Sequence, residues 1–380
     1  MSVDHVGPYG RSSGGGTRSG DLTELNNMEL IEIPVDGYER VVKCHDPESG
    51  LRAIIGVHDT TLGPALGGLR MWPYETEDEA LTDVLRLSRG MTYKSAVANT
   101  GLGGGKSVII GNAKTDKSEA LFRAMGRFVD SFDGMYTTAE DVGIGIRELE
   151  WIREETNHVT GLSRASGSSG NPSPFTARGV TRGLRAVTEE AFGTSRLDGF
   201  HYAIQGLGHV GMEIARGLSI MGSFVTVADI DEEKIAEFTS LPGVEAVDPD
   251  KIYDVECDVF VPCALGGILD DNTIPRLRCK AVAGAANNQL LVEDTHAKML
   301  KDRGILYAPD YVINAGGIVN VSVEVGEGGY DERAAVQKIE NIYTALQEVF
   351  ATARQEDITT AEAADRVAEQ RLEEARARRG

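Results

Sequence analysis

From about residue 28 the apolar positions follow two rhythms, short continuous runs of strand length and longer stretches with apolar residues three or four apart. YERVVKCHD and LRAIIGVHD read as two strands, and Pro47-Glu48-Ser49-Gly50 between them predicts a hairpin turn. After the glycine-rich stretch TLGPALGGLRMWPY comes a predicted helix, with Ala80, Leu81, Val84, Leu85 and Leu87 at helical spacing. SVIIG is a short apolar strand, and KSEALFRAMGRFVDSF and RELEWIREE are amphipathic helices. GSSGNPSP (167–174) breaks the pattern and is the candidate hinge. Beyond it the rhythm resumes with the helix TARGVTRGLRAVTEEAF. Short strands follow at HYAIQ, SFVTVAD, VFVPCA, AVAGAA and ILYAPD, with helical segments at 331–352 and 361–379.

The second half contains one compact unit of known chemistry. Gly206, Leu207, Gly208, His209, Val210 and Gly211 form G-x-G-x-x-G, preceded by an apolar strand and followed by a helix. A second strand then ends on Asp229. This is the unit in which a helix N-terminus holds a pyrophosphate and an acidic residue bonds a ribose diol. A carboxylate at Asp229, with more acid in the following IDEEK, repels a 2′-phosphate and favours NAD over NADP. His209 reads as a loop residue rather than a proton carrier.

Composition narrows the setting. The chain has 380 residues, 41% hydrophobic and 26% charged, as in a globular enzyme, yet 59 Asp and Glu face 38 Lys and Arg, a net charge of −21. Such a surface excludes nucleic-acid binding by a basic field and disfavours anionic lipid. Arginine outnumbers lysine 27 to 11, and this lysine-poor acidity predicts a protein suited to concentrated salt. Cys44, Cys257, Cys263 and Cys279 are too scattered for a disulfide framework or a zinc site, so no metal is expected and the thiols are read as free. No apolar run approaches the ~20 residues of a membrane span, and the N-terminus lacks a signal-peptide pattern. The expectation is a soluble cytoplasmic enzyme with no membrane partner.

Two of the few lysines sit in special surroundings. Lys94 ends the predicted helix in MTYKSA, and Lys106 closes the triple glycine of GLGGGKSVII, where the lack of Cβ atoms lets backbone and a neighbouring ligand approach closely. Next to an apolar strand and near a second cation, Lys106 should lose basicity and approach the range of a general base. A P-loop is excluded, because its spacing requires glycine where Thr100 stands. Asp141 in YTTAEDVG closes a strand-like segment, a position shared by catalytic carboxylates and helix caps.

Taken together, GPALGGLRMWPY, LRLSRGMTYK, GGGKSVIIG, TAEDVG, GSSGNPSP, GLGHVG, PCALGG, AGAANNQL and YAPDYVINAGG resemble the glutamate/leucine/phenylalanine/valine dehydrogenase family, nearest to its leucine-specific members. The resemblance covers about residues 35 to 370. It implies reversible oxidative deamination of an L-amino acid to a 2-oxo acid, with NAD taking hydride and ammonium released, in a homo-oligomer. It also implies roles. Lys94 binds the substrate carboxylate, Lys106 activates the attacking water and Asp141 shuttles protons. Gly67 and Gly68 let backbone approach the substrate, and Asn287 or Asn288 bonds the substrate or the nicotinamide ribose. The glutamate-specific members carry lysine where Leu66 stands. An unpaired carboxylate against leucine costs several kcal/mol, which disfavours glutamate. Leu66, with Ile318, Val319 and Val321 as further wall, points to leucine, isoleucine and valine. A phenylalanine or valine dehydrogenase is the alternative, and an inactive NAD-binding regulator the least favoured reading. Arg178 and Ile144 depart from the family pattern, and Ile144 bears on the contacts around Asp141.

The expected architecture is α/β with two domains and a cleft between them. Residues 1–27 form a Gly/Ser-rich disordered extension, and 28–165 the substrate and oligomerisation domain, completed by a C-terminal helix from 345–380. Residues 166–344 form the Rossmann-type NAD-binding domain.

Overall fold

The computed structural model describes residues 28–325 and 329–379. The glycine/serine extension expected at 1–27 therefore lies outside the described residues.

The first half builds a mixed six-stranded sheet. Its strands are β1 (Glu29–Glu32), β2 (Arg40–Asp46), β3 (Leu51–Asp59), β4 (Ala65–Trp72), β5 (Gly103–Ile110) and β6 (Tyr136–Glu140), in spatial order β1-β2-β3-β5-β4-β6. β2 and β3 form the expected antiparallel hairpin. β4 lies parallel to both β5 and β6. Helix α1 (Glu77–Val97) packs on one face, with Thr76 accepting from the Glu79 amide as N-cap and Lys94 in the last turn. Helices α2 (Glu119–Asp130) and α3 (Ile146–Arg153) complete this half, and Phe122, Phe128 and Leu149 pack into the core with Leu69 and Met71 of β4.

The second half opens with α4 (Ser173–Phe192) and is a parallel sheet of β7 (His201–Gln205), β8 (Phe224–Ala228), β9 (Val244–Ala246), β10 (Val259–Pro262), β11 (Ala281–Val282) and β12 (Leu306–Tyr307). Its order is β12-β11-β10-β7-β8-β9. Helices α5 (His209–Ile220), α6 (Glu232–Thr239) and α7 (Glu293–Asp302) connect the strands. The chain ends in α8 (Asp310–Ile313), α9 (Gly316–Val325), α10 (Glu332–Ile339), α11 (Asn341–Glu356) and α12 (Thr360–Arg379). This last helix returns to α1. Arg371 donates to the Ala96 and Val97 carbonyls at 3.1 and 2.6 Å, and Tyr93 donates to Glu369 at 2.9 Å.

Gly103, Gly104 and Gly105 are the buried first half of β5, and what approaches them is the protein itself. A Cβ on Gly104 would lie 2.1 Å from the Thr92 amide of α1, and one on Gly105 would lie 2.7 Å from the Tyr136 ring. Strands expected at AVAGAA and ILYAPD shrink to two residues each. The breaker cluster is held by α9: Glu324 accepts from the Ser169 amide at 2.9 Å and from the Ser168 hydroxyl.

Candidate active site

The sheet order explains how distant residues meet. β4 separates β5 from β6, so Lys106 on β5 and Asp141 just past β6 face each other across β4 at Gly67 and Gly68. A Cβ on Gly68 would lie 2.8 Å from the Asp141 Cβ, and one on Gly67 would overlap the Gly105 carbonyl at 1.6 Å. The two glycines are thus demanded by their strand neighbours. They let Asp141 fold over β4 and place its Oδ2 2.5 Å from Lys106 Nζ.

This pair sits deep. Burial pulls Lys106 below the ordinary lysine range, and the adjacent Asp141 only partly opposes that pull. Burial pushes Asp141 upward, but Lys106 and Arg70 outweigh it and hold the carboxyl below its usual value. Arg70 is a residue that sequence reasoning missed. Its Nε lies 3.3 Å from the same Asp141 Oδ2, while its Nη1 lies 2.8 Å from Asp83. Tyr74 donates to Asp83 at 2.6 Å and fixes that support.

Lys94 belongs to a second cluster that spans both halves of the molecule. Its Nζ donates to Asn314 Oδ1 at 2.6 Å, and Asn314 Nδ2 donates to Asn287 Oδ1 at 2.7 Å. Desolvation, and then the neighbouring Lys106, lower Lys94 to about 8, with Asp310 opposing them. Burial raises Asp310 in turn, and Lys94 pulls against it. Asn314 and Asp310 were also missed, although both stand within the stretch YAPDYVINAGG. Asn287 and Asn288 are both solvent-exposed; Asn287 joins the Lys94 cluster through its side chain, while Asn288 takes a positive φ of 50°, accepts from the Gly267 amide and bonds Asp310 through its own backbone amide.

Leu66, 2% exposed, belongs to one apolar cluster with Ile318, Val319 and Val321 of α9. Val319 is fully buried in that core, whereas Ile318 and Val321 each keep 9% exposure. Ile144 turns away into the apolar core of the first half, and Arg178 is an exposed partner of Glu340. A separate hollow of about 720 Å3, lined by Arg70, Trp72, Tyr74 and Asp83, includes neither lysine.

At the glycine fingerprint, Gly206 has φ +96°, which disfavours any side chain, and a Cβ on Gly211 would lie 2.0 Å from the Gly206 carbonyl. Gly208 N-caps α5 without a side-chain cap, and the space above it is open. His209 is exposed on the first turn, Val210 half-buried and Leu207 fully buried. The uncapped amides of α5 can therefore take a pyrophosphate, as a dinucleotide requires. Asp229 holds the turn itself, accepting from the Leu207 amide at 2.5 Å. Ile230, 92% exposed, follows it and offers an apolar surface for a flat ring. No cluster of potential metal ligands occurs among the described residues.

A parallel sheet with a dinucleotide fingerprint, in one chain with a buried lysine paired to a half-buried aspartate, defines a two-domain dehydrogenase. Comparison with known proteins agrees. Residues 38–158 match the family described as Glu/Leu/Phe/Val dehydrogenase, dimerisation domain, and residues 226–380 match Glutamate/Leucine/Phenylalanine/Valine dehydrogenase. The leucine dehydrogenase of Thermoactinomyces intermedius is 55% identical over 88% of this chain and 91% of its own. The phenylalanine dehydrogenase of Caldalkalibacillus thermarum is 49% identical over 89% of this chain and 92% of its own. The crystal structure of L-tryptophan dehydrogenase from Nostoc punctiforme superposes with a TM-score of 0.82 at 46% identity, covering 90% of this chain and 97% of that one. The chain belongs to the Glu/Leu/Phe/Val dehydrogenase family.

Proposed function

We propose that the protein catalyses the NAD-dependent, reversible oxidative deamination of a branched-chain L-amino acid, with leucine preferred and isoleucine and valine accepted. NAD, when bound at the Gly206–Gly211 turn, supplies the hydride acceptor. Asp229 and the acidic residues after it favour NAD over its 2′-phosphorylated form. The carrying observation is the pairing of buried Lys106 with half-buried Asp141, near a second, half-buried lysine and an apolar cluster.

Each group has work suited to its surroundings. Lys94, charged when a carboxylate is present, anchors that carboxylate, with Asn314 and Asn287 setting its direction. Lys106, weakened as a base by burial, takes a proton from water and makes it a nucleophile at the oxidised carbon. Asp141, 2.5 Å away, receives and returns protons as ammonium forms and leaves. Leu66, Ile318 and Val321 take the aliphatic side chain and exclude water; Gly67 and Gly68 let substrate lie against backbone. A distal carboxylate there would be buried without a partner, so glutamate is a poor substrate. A methylene is worth only ~1–3 kcal/mol, so discrimination among leucine, isoleucine and valine is loose.

The same proposal includes a cytoplasmic homo-oligomer, supported by the dimerisation-domain description of the matching family, and function in elevated salt, supported by the net charge of −21 with only 11 lysines. The test is a kcat/KM panel of leucine, isoleucine, valine, phenylalanine and glutamate with NAD across a salt series. Leucine should lead and activity should rise with salt as carboxylate repulsion is screened. A preference for phenylalanine would favour the alternative represented by the 49% identical relative. Full activity and stability without added salt would remove the salt reading alone.

A further inference from the structure

Two of the four thiols are brought together by the second sheet, at a place the chemistry above does not use. Just before β10 and β11, Glu256 and Arg278 form a parallel bridge, and the Cys257 amide donates to the Arg278 carbonyl at 3.3 Å. Two residues on, Val259 pairs with Ala281, and the Lys280 amide donates to Asp258 at 3.0 Å. Cys257 and Cys279 are therefore register partners on adjacent parallel strands, framed by hydrogen bonds on both sides. Both pack against the same apolar cluster, which contains Phe260, Ile274 and Leu277, so their side chains share one face.

Paired strands run about 4.8 Å apart, and a disulfide needs Cα atoms about 4.4–6.8 Å apart. The register meets that condition without a backbone shift. Each cysteine is only partly buried, so a small oxidant can reach the pair. Cys44 and Cys263 lack such a partner, and burial pushes each up to about 12. The pair itself is polarised. A hydrogen bond from Cys257 lowers Cys279, with Arg303 adding a smaller pull, while the same bond raises Cys257. A thiolate forms first at Cys279, and Cys257 keeps its proton.

We propose that Cys257 and Cys279 are a redox-active dithiol that closes to an intramolecular disulfide under oxidation by a low-molecular-weight disulfide such as oxidised glutathione. Cys279 thiolate attacks one glutathione sulfur, forming a mixed disulfide and releasing one glutathione thiolate. Cys257, losing its proton, attacks the Cys279 sulfur and releases the second glutathione. Two protein thiols are oxidised and one glutathione disulfide is reduced to two thiols.

The closed loop runs from 257 to 279 and carries the PCALGG turn that faces the dinucleotide fingerprint. The thiols lie at the amino ends of the strands, and Gly206 follows the carboxyl end of β7. Oxidation should therefore staple the base of this loop and leave the lysine–aspartate site in place. The unfolded chain is restricted by the added link, so the melting temperature should rise by several degrees.

The experiment treats the full-length folded protein with oxidised glutathione, blocks residual thiols and maps peptides by mass spectrometry, with melting curves before and after. A Cys257–Cys279 linked peptide, two hydrogens lighter than its parts, reversed by dithiothreitol and absent in Cys257→Ser and Cys279→Ser, is expected. Cys279→Ser should also lose the glutathione adduct, whereas Cys257→Ser should trap it. Absence of the linked peptide in the folded protein, or its formation only after guanidine unfolding, would overturn the proposal. Both variants should keep the parent's turnover and melting temperature under reducing conditions, which separates lost oxidation from lost folding.

Discussion

Arg70→Leu removes a cation that bears on Asp141 and Lys106 together. In the structure Arg70 Nε lies 3.3 Å from Asp141, and the side chains are 22% and 23% exposed. Unit charges about 4 Å apart at an effective dielectric near 20 interact by roughly 4 kcal/mol. Partial exposure lets water replace much of that, and fully exposed pairs retain only about 0–1 kcal/mol. A net effect of about 1.4 kcal/mol is one pKa unit. The sign is the same for both partners. Without Arg70, Asp141 loses a charge that lowers it and rises, and Lys106 loses a repulsion that lowers it and also rises.

Lys106 must be neutral to take a proton from water, so the acid limb of kcat/KM moves to higher pH whichever group sets it. The expected displacement is about one unit, with an approximately tenfold loss of kcat/KM at a fixed pH on that limb. Arg70→Lys keeps the charge but cannot fork between Asp141 and Asp83, and should recover part of the shift. The assay is initial-rate NADH production over a pH series, with dichroism and melting curves confirming the fold. An acid limb unmoved in Arg70→Leu, at parental turnover, would refute the coupling argument.

Three further substitutions test neighbouring parts of the site. Lys106→Ala should reduce kcat by about 10^2–10^4-fold while dinucleotide binding, followed by fluorescence or calorimetry, survives. Asn314→Leu leaves Lys94 without its 2.6 Å acceptor; a hydrogen bond to a charged group is worth about 1.5–3 kcal/mol, so the amino acid KM should rise by about 10–100-fold, with kcat less affected. Gly104→Ala drives a methyl to 2.1 Å from the Thr92 amide, a backbone atom that cannot yield without moving α1. Overpacking of this kind costs about 1–3 kcal/mol, read as a lower melting temperature in calorimetry.

Local pattern carried the sequence reading as far as local pattern goes. The fingerprint was legible because strand, glycine turn and helix are contiguous, and Lys94, Lys106 and Asp141 because each stands in a distinctive stretch. Their mutual geometry was not. Arg70 and Asp141 are 71 residues apart, Lys94 and Asn314 220 apart. They meet only because β4 inserts between β5 and β6 and because α8, which Asn314 follows, lies against α1. Within its own strand Arg70 reads as an ordinary polar position. The triple glycine carried its signal only partway for a related reason. Absence of a Cβ signals close approach but does not say what approaches, and here helix α1 and the Tyr136 ring do. Glu324 gave no signal either, since its hold on Ser168 and Ser169 exists only in the folded chain.

That close approach also decides how the two lysines differ. Without side chains at Gly56 and Gly104, α1 settles directly onto β3 and β5, and desolvation lowers both Lys94 and Lys106, with Lys106 lowering Lys94 further. Their carboxylate partners are then divided. Lys106 is paired with Asp141 entirely within the first half of the molecule, across a single strand. Lys94 looks the other way, to Asp310 and Asn314 of the second half. Any change in the separation of the halves therefore strips Lys94 of its partners and leaves the Lys106–Asp141 pair intact. The couple proposed to handle protons is built into one sheet, and the proposed carboxylate anchor is the element that depends on both halves. Asn314→Leu and Lys106→Ala should thus fail differently: the first in KM, the second in kcat.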